Sequence, residues 1–203
     1  MDANPNDDDL LRRMQEGDEA AFTALYRRWQ GPIYRFALRM SGRMPVAEDV
    51  TQETFMTLLA GGEGFDASRG SLTGYLFGIA RHRVLHRLER ERAYVPIEGE
   101  DRDGDARRDL PASEGDPLAA LARRERIEQV RDAVLSLPVH YREAVVLCDL
   151  HLLTYGEAAT ALGCAVGTVR SRLHRGRELL LGKLRSVADA PPALRRVSSA
   201  GLS

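Results

Sequence analysis

The chain has 203 residues, 43% hydrophobic and 29% charged, with a formal net charge of −1. That length suits one or two small domains. The near-zero total conceals two opposite segments. Residues 165–185 carry six basic side chains against one acid, a net of +5, and residues 97–116 carry three arginines against eight acids, a net of −5. This asymmetry, and not the average, points to a nucleic-acid partner. No apolar run approaches the ~18 residues that a membrane span needs, so no membrane insertion is expected. The first nine residues are acidic and polar, unlike a signal peptide. Cys148 and Cys164 stand alone, without zinc spacing. A reducing, cytoplasmic setting follows.

Nearly every periodic stretch has helical spacing, which predicts an all-α fold of two small domains. Asp18 is placed to cap a helix over 19–40, with Phe22, Leu25, Tyr26, Trp29, Ile33 and Phe36 on its apolar stripe. A turn at 41–43 leads to a helix over 45–59, opened by Pro45, whose missing N–H costs nothing there. Gly61, Gly62, Gly64 and Gly70 mark a loop, and Ser71 caps a helix reaching about residue 94 on Leu72, Tyr75, Leu76, Ile79 and Leu85. Residues 95–116 combine prolines, glycines and the acidic excess, which predicts a flexible acidic linker. A second helical domain over 117–185 follows, with helices at 117–135, 138–150, 155–162 and 166–184. Thr154 and Glu157 have capping-box spacing. Residues 186–203 are small, polar and interrupted by Pro191 and Pro192, which predicts a disordered tail.

The sequence from Tyr155 through Gly163 to Val166 has the form of a helix-turn-helix: a short helix, a tight glycine turn and a longer helix. At ~100° per residue, Val169, Leu173, Gly176, Leu180 and Leu184 share one stripe that must pack inward. Arg170, Ser171, His174 and Arg175 fall on the opposite half. Arginine can fork onto guanine and serine can pair with several base edges. Arg172 and Arg177 flank the apolar stripe, where phosphate contact or pairing within the domain is expected.

Leu137-Pro138 with Arg142, Thr154-Tyr155 with Glu157-Ala158-Ala159, and Gly167-Thr168-Val169-Arg170-Ser171-Arg172-Leu173 with Arg175 and Arg177 together resemble region 4 of extracytoplasmic-function (ECF) sigma factors, members of the sigma-70 family. The resemblance implies that the second helix recognises the promoter −35 element through Arg170, Ser171, His174 and Arg175, with Arg172 and Arg177 beside them. Two positions depart from the family pattern. His174 stands where the family varies, often with an aromatic residue. Ala165 replaces the usual Ser or Pro before the recognition helix, and loss of a serine cap costs about 0.5–2 kcal/mol.

Residues 8–94 resemble region 2 of the same family. Asp18-Glu19-Ala20-Ala21-Phe22 with Leu25-Tyr26 is similar to its opening helix. Ala47-Glu48-Asp49-Val50-Thr51-Gln52-Glu53-Thr54-Phe55 is similar to its signature helix. The resemblance implies that Glu48, Asp49, Gln52 and Glu53 bind the clamp helices of the largest subunit of core RNA polymerase, while Val50, Phe55 and Leu58 face the core. Phe65-Asp66-Ala67-Ser68-Arg69-Gly70-Ser71-Leu72, then Tyr75-Leu76-Phe77-Gly78-Ile79-Ala80-Arg81, resembles the promoter-melting segment. Glycine loop, aromatic rings and a basic helix suit single-stranded DNA. Phe65, Asp66, Ser68, Arg69, Arg81, His82 and Arg83 are the implied −10 contacts. Tyr75 stands where the family has Trp and is expected to pack in the core.

His82 and His86 replace the family's Asn and Asp. Their i, i+4 spacing raises a metal site, but no third ligand or intervening Glu accompanies them. No metal, cofactor or catalytic constellation is expected. The reading is an alternative sigma factor that binds core polymerase through the clamp helices and the flap of the second-largest subunit, recognises −10 and −35 promoter DNA and directs initiation. An anti-sigma factor is the further partner the family suggests. A helix-turn-helix regulator binding DNA without polymerase is the alternative, against which the region 2 resemblance argues.

Overall fold

The computed structural model describes residues 6–60, 65, 70–93 and 117–189. Its helices are α1 (Asp7–Gln15), α2 (Glu19–Ser41), α3 (Met44–Leu59), α4 (Leu72–Ala93), α5 (Pro117–Leu135), α6 (Val139–Val145), α7 (Tyr155–Leu162) and α8 (Val166–Asp189), with a π-helical turn at Val146–Leu150 after α6. There is no strand among the described residues, in keeping with the helical spacing. The linker expected at 95–116 and residues 190–203 of the expected tail lie outside the described residues.

The expected helix signals act as physical chemistry requires. The Asp18 carboxylate accepts the amides of Ala20 and Ala21 at 2.9 and 3.1 Å. Ser71 Oγ accepts the amide of Gly74 at 3.2 Å. Thr154 and Glu157 form the reciprocal capping box of α7. Gly163 closes α7 with φ of 60°, a left-handed conformation that glycine adopts without strain.

Two elements depart from the sequence reading. Helix α1 forms where no helix was expected. Asp7, Asp8 and Asp9 favour its positive N-terminal end, Leu10 and Leu11 are buried, and the Asp7 carboxylate binds Arg28 and, at 3.1 Å, Trp29 Nε1 on α2. Helix α8 continues to Asp189, so its last turn enters the segment read as tail.

Helices α2, α3 and α4 enclose Leu25, Ile33, Phe36, Met40, Val50, Leu58, Leu76 and Phe77. The later helices enclose Val134, Leu137, Val145, Leu147, Ala158, Leu162, Val169 and Leu173. These two cores merge into one continuous buried cluster. Gly70, Gly74 and Gly78 recur every fourth residue and let α4 approach α7. A Cβ at Gly74 would stand 3.0 Å from Thr160 Cβ and 3.1 Å from the Glu157 carbonyl oxygen. On a second seam His151 packs against the touching pair Phe36 and Phe77, with ring centroids 6.1 and 5.0 Å away. Arg142 donates to the carbonyls of Met40 at 2.6 Å, Leu137 at 3.0 Å and Leu135, joining α2 to the turn before α6.

Candidate nucleic-acid interface

The outward face of α8 is as the spacing predicts. Val169 and Leu173 are buried, and Gly176 is buried too because a Cβ there would meet Val145 Cγ2 at 2.8 Å. Arg170, Ser171, His174 and Arg175 are all exposed on the opposite side. Arg175 pairs with Glu178 at 3.0 Å and His174 lies 3.5 Å from the same carboxylate. Both are surface contacts that DNA can displace at small cost. Arg172 is half-buried.

Arg177 is committed within the domain. Its guanidinium forks onto the Asp149 carboxylate at 2.6 and 3.0 Å, which fixes α8 to the π-helical turn. Tyr155 supplies a further contact that the sequence reading did not include. Its ring lies under the Arg170 guanidinium, 5.5 Å from carbon to centroid. A cation over an aromatic face is held in place while its N–H edges stay free. Tyr155 therefore aims Arg170 from α7.

The acidic face of α3 divides in two. Glu48 and Gln52 are exposed and line an open groove between α2 and α3, with Tyr26, Phe55, Met56 and Leu59 beside them. Tyr26, Met56 and Leu59 keep 38%, 59% and 49% of their surface exposed, an apolar floor with a polar rim. Asp49 and Glu53 turn the other way. Arg87 of α4 binds Asp49 at 2.7 Å and Glu53 at 2.5 Å, and Arg83 approaches Glu53 at 3.7 Å. Of the four residues expected to be exposed, Glu48, Asp49 and Gln52 are, and Glu53 is half-buried beside Arg87. Arg87 divides them because α4 crosses α3 on that side. Tyr26, expected on the inward stripe of α2, is instead 38% exposed in this groove, whereas Phe55 is buried as expected.

Arg81 faces the second domain. It donates to Glu143 at 2.6 Å, and the Glu143 side chain is only 2% exposed. Arg83 also reaches Thr57 Oγ1 at 3.2 Å. His82 and His86 are exposed on α4. Among the described residues no group of three or more His, Cys, Asp or Glu side chains could hold a metal ion. Phe65 is half-buried and meets Tyr75 edge-on at 5.3 Å, and Tyr75 is itself half-buried, packed at the margin of the core and not inside it. Asp66, Ser68 and Arg69 lie outside the described residues. Among those residues no helix is long and apolar enough to cross a membrane.

The described residues, all helical or in turns and ending in a capped helix-turn-helix with an exposed basic face, define the architecture of a DNA-binding protein. The Sigma-70 region 2 profile matches residues 25–94, and the Sigma-70 region 4 profile matches residues 127–180. The ECF RNA polymerase sigma factor SigE of Mycolicibacterium smegmatis is 36% identical over 167 residues, covering 81% of this chain and 63% of that protein. The probable RNA polymerase sigma-C factor of Mycobacterium bovis is 32% identical over 196 residues, covering 95% of this chain and 97% of its own. Among solved structures, the sigma factor RpoE in complex with the anti-sigma factor NepR from Bartonella quintana aligns with a TM-score of 0.61 at 25% identity, over 81% of this chain and 96% of that one. The chain belongs to the sigma-70 family, in its extracytoplasmic-function group.

Proposed function

We propose that the chain is an alternative sigma factor whose α8 face reads the −35 element while α4 and the loop before it open the −10 element. The exposed set Arg170, Ser171, His174 and Arg175, opposite a buried stripe, carries this reading. Arg170 and Ser171 offer base-edge donors, and Arg172 is the proposed phosphate contact. Phe65, Asp66, Ser68, Arg69, Arg81, His82 and Arg83 are the proposed −10 set. Glu48, Gln52, Tyr26, Met56 and Leu59 form the proposed seat for the polymerase clamp helices, with Asp49 and Glu53 at its edge. The second domain takes the flap. Polymerase supplies the chemistry in the cytoplasm, and this chain supplies binding and DNA opening. RpoE was crystallised with an anti-sigma factor, and a partner of that kind is proposed here.

The packed arrangement described above is a closed form. Arg81 is held by Glu143, and Ser71 Oγ approaches Glu157 at 3.4 Å, so promoter engagement requires the domains to part. Runoff transcription with core polymerase on a randomised promoter library tests the assignment. Arg170→Ala is expected to change −35 preference at one or two positions while −10 preference stays. Uniform weakening on all promoters would make Arg170 a phosphate contact, and no polymerase-dependent transcript would refute the reading.

A further inference from the structure

Two arginines share one exposed ridge of α8. Arg170, His174, Arg177 and Leu181 recur at i, i+4, i+7 and i+11, which sets them in one line along the helix, and all four are exposed. The two guanidinium groups are held in opposite ways. Tyr155 holds Arg170 with a neutral ring, 5.5 Å from carbon to centroid, which keeps the charge and leaves the N–H edges open. Asp149 holds Arg177 with a carboxylate, accepting from Nη2 at 2.6 Å and from Nε at 3.0 Å. That pairing cancels the charge and fills one edge of the fork.

The Asp149 pair differs from the other ion pair on this face. Its carboxylate is 26% exposed and belongs to the π-helical turn Val146–Leu150, so acid and arginine are anchored in different elements. Glu178 lies on α8 itself, is 48% exposed and meets Arg175 through a single hydrogen bond. π-helical turns recur at functional sites, and this one sets a carboxylate against the reading helix. A free arginine that meets a phosphate releases counterions, and log K then falls with log salt by about 0.9 per contact on duplex DNA. An arginine already paired brings no such gain. Arg177 lies two turns beyond Arg170, past the N-terminal residues of a recognition helix that reach base edges, so freeing it adds backbone affinity without sequence information.

We propose that Asp149 is a positioning residue that withholds Arg177 from the DNA backbone and so holds down the sequence-independent affinity of the reading head. The chain then stays off bulk DNA without any change in base preference. This rests on the −35 reading of α8.

The test is fluorescence anisotropy of the full chain on a labelled random-sequence duplex across a fourfold range of salt, from about 50 to 200 mM. Asp149→Asn keeps the shape and removes the charge. It should tighten binding and steepen the salt slope by about 0.9, so that its advantage over the wild type shrinks about 3.5-fold across the range. In an Arg177→Gln background the same substitution should change affinity by no more than about twofold, because no arginine is left to release. Arg177→Lys reports even if Asp149→Asn fails to fold: an ammonium cannot fork onto the carboxylate, so the slope should steepen in the same direction by less. In runoff transcription on the randomised library, Asp149→Asn should leave −35 preference as it is. A gain that survives in the Arg177→Gln background would make Asp149 a plain repulsive charge, an unchanged slope would leave the pair structural only, and an altered −35 preference would make Arg177 a base reader; each overturns the proposal. A wild type that binds no random duplex and, with polymerase, selects no −35 sequence refutes the reading of α8 and the proposal with it.

Discussion

Acidification should open the molecule through His151. The ring packs against both Phe36 and Phe77, and burial, then Arg39, then Arg35, lower its pKa from 6.5 to about 3. The closed form therefore binds fewer protons than an open form in which the ring meets water. Its advantage is fully present above pH 6.5 and is lost progressively as pH falls toward 3. Between pH 7.5 and 5.5 the open ring gains most of a proton and the closed ring gains almost none. That difference is worth about 1.4 kcal/mol, a tenfold fall in the closed-to-open ratio. X-ray scattering across this range, with circular dichroism to confirm retained helix, reads the ratio. The His151→Phe variant keeps an aromatic ring at this seam and separates this residue from the other four histidines. Its response should be flatter by about that tenfold factor. Equal pH responses in the two proteins, or compaction of the wild type in acid, would refute the argument.

Three further outcomes follow from the packing. Arg81→Ala strands the buried Glu143 carboxylate and should weaken domain closure by about 3–5 kcal/mol, whereas replacing both partners by methionine should restore most of it; scattering at neutral pH distinguishes the two. Gly74→Ala adds a methyl 3.0 Å from Thr160 Cβ and 3.1 Å from a backbone oxygen, so it should open the seam while making α4 itself more helical by about 1 kcal/mol, read by hydrogen exchange on α4 and α7. Gly176→Ala drives a methyl to 2.8 Å from Val145 Cγ2 and 3.2 Å from the Tyr141 carbonyl; overpacking of about 1–3 kcal/mol should lower the denaturation midpoint and weaken DNA binding together.

The features legible in the sequence were those set by neighbours along the chain. The caps at Asp18, Ser71 and Thr154, the glycine turn at Gly163 and the inward stripe of α8 each depend on residues within one or two turns. The exposure of Arg170, Ser171, His174 and Arg175 follows from that stripe. What was not legible depends on contacts between residues at least 21 positions apart. Asp49 and Glu53 look equivalent to Glu48 and Gln52 until α4 brings Arg87 alongside them. Asp7 looks like part of a polar leader until Arg28 and Trp29 give it partners. Nothing local to His151 announces that it enters a core built by Phe36 and Phe77. The π-helical turn before it inserts one more residue per turn than an α-helix, and periodicity at 3.6 residues cannot anticipate that shift.

The contacts that close the molecule and the contacts proposed for the promoter draw on the same groups. Glu143 satisfies Arg81, α7 covers Gly70 and Gly74, and the Glu157 of the capping box reaches Ser71. A strand of DNA at α4 must displace α7, and parting the domains exposes the Glu143 carboxylate to water, which removes its need for Arg81. Closure and the proposed −10 contacts thus compete for Arg81. The proposed −35 face of α8 is not part of that competition, since its four outward residues are exposed in the closed form. Binding at −35 can therefore precede opening, and the order of events on a promoter would run from α8 to α4, with polymerase at the α2–α3 groove holding the parted domains in place.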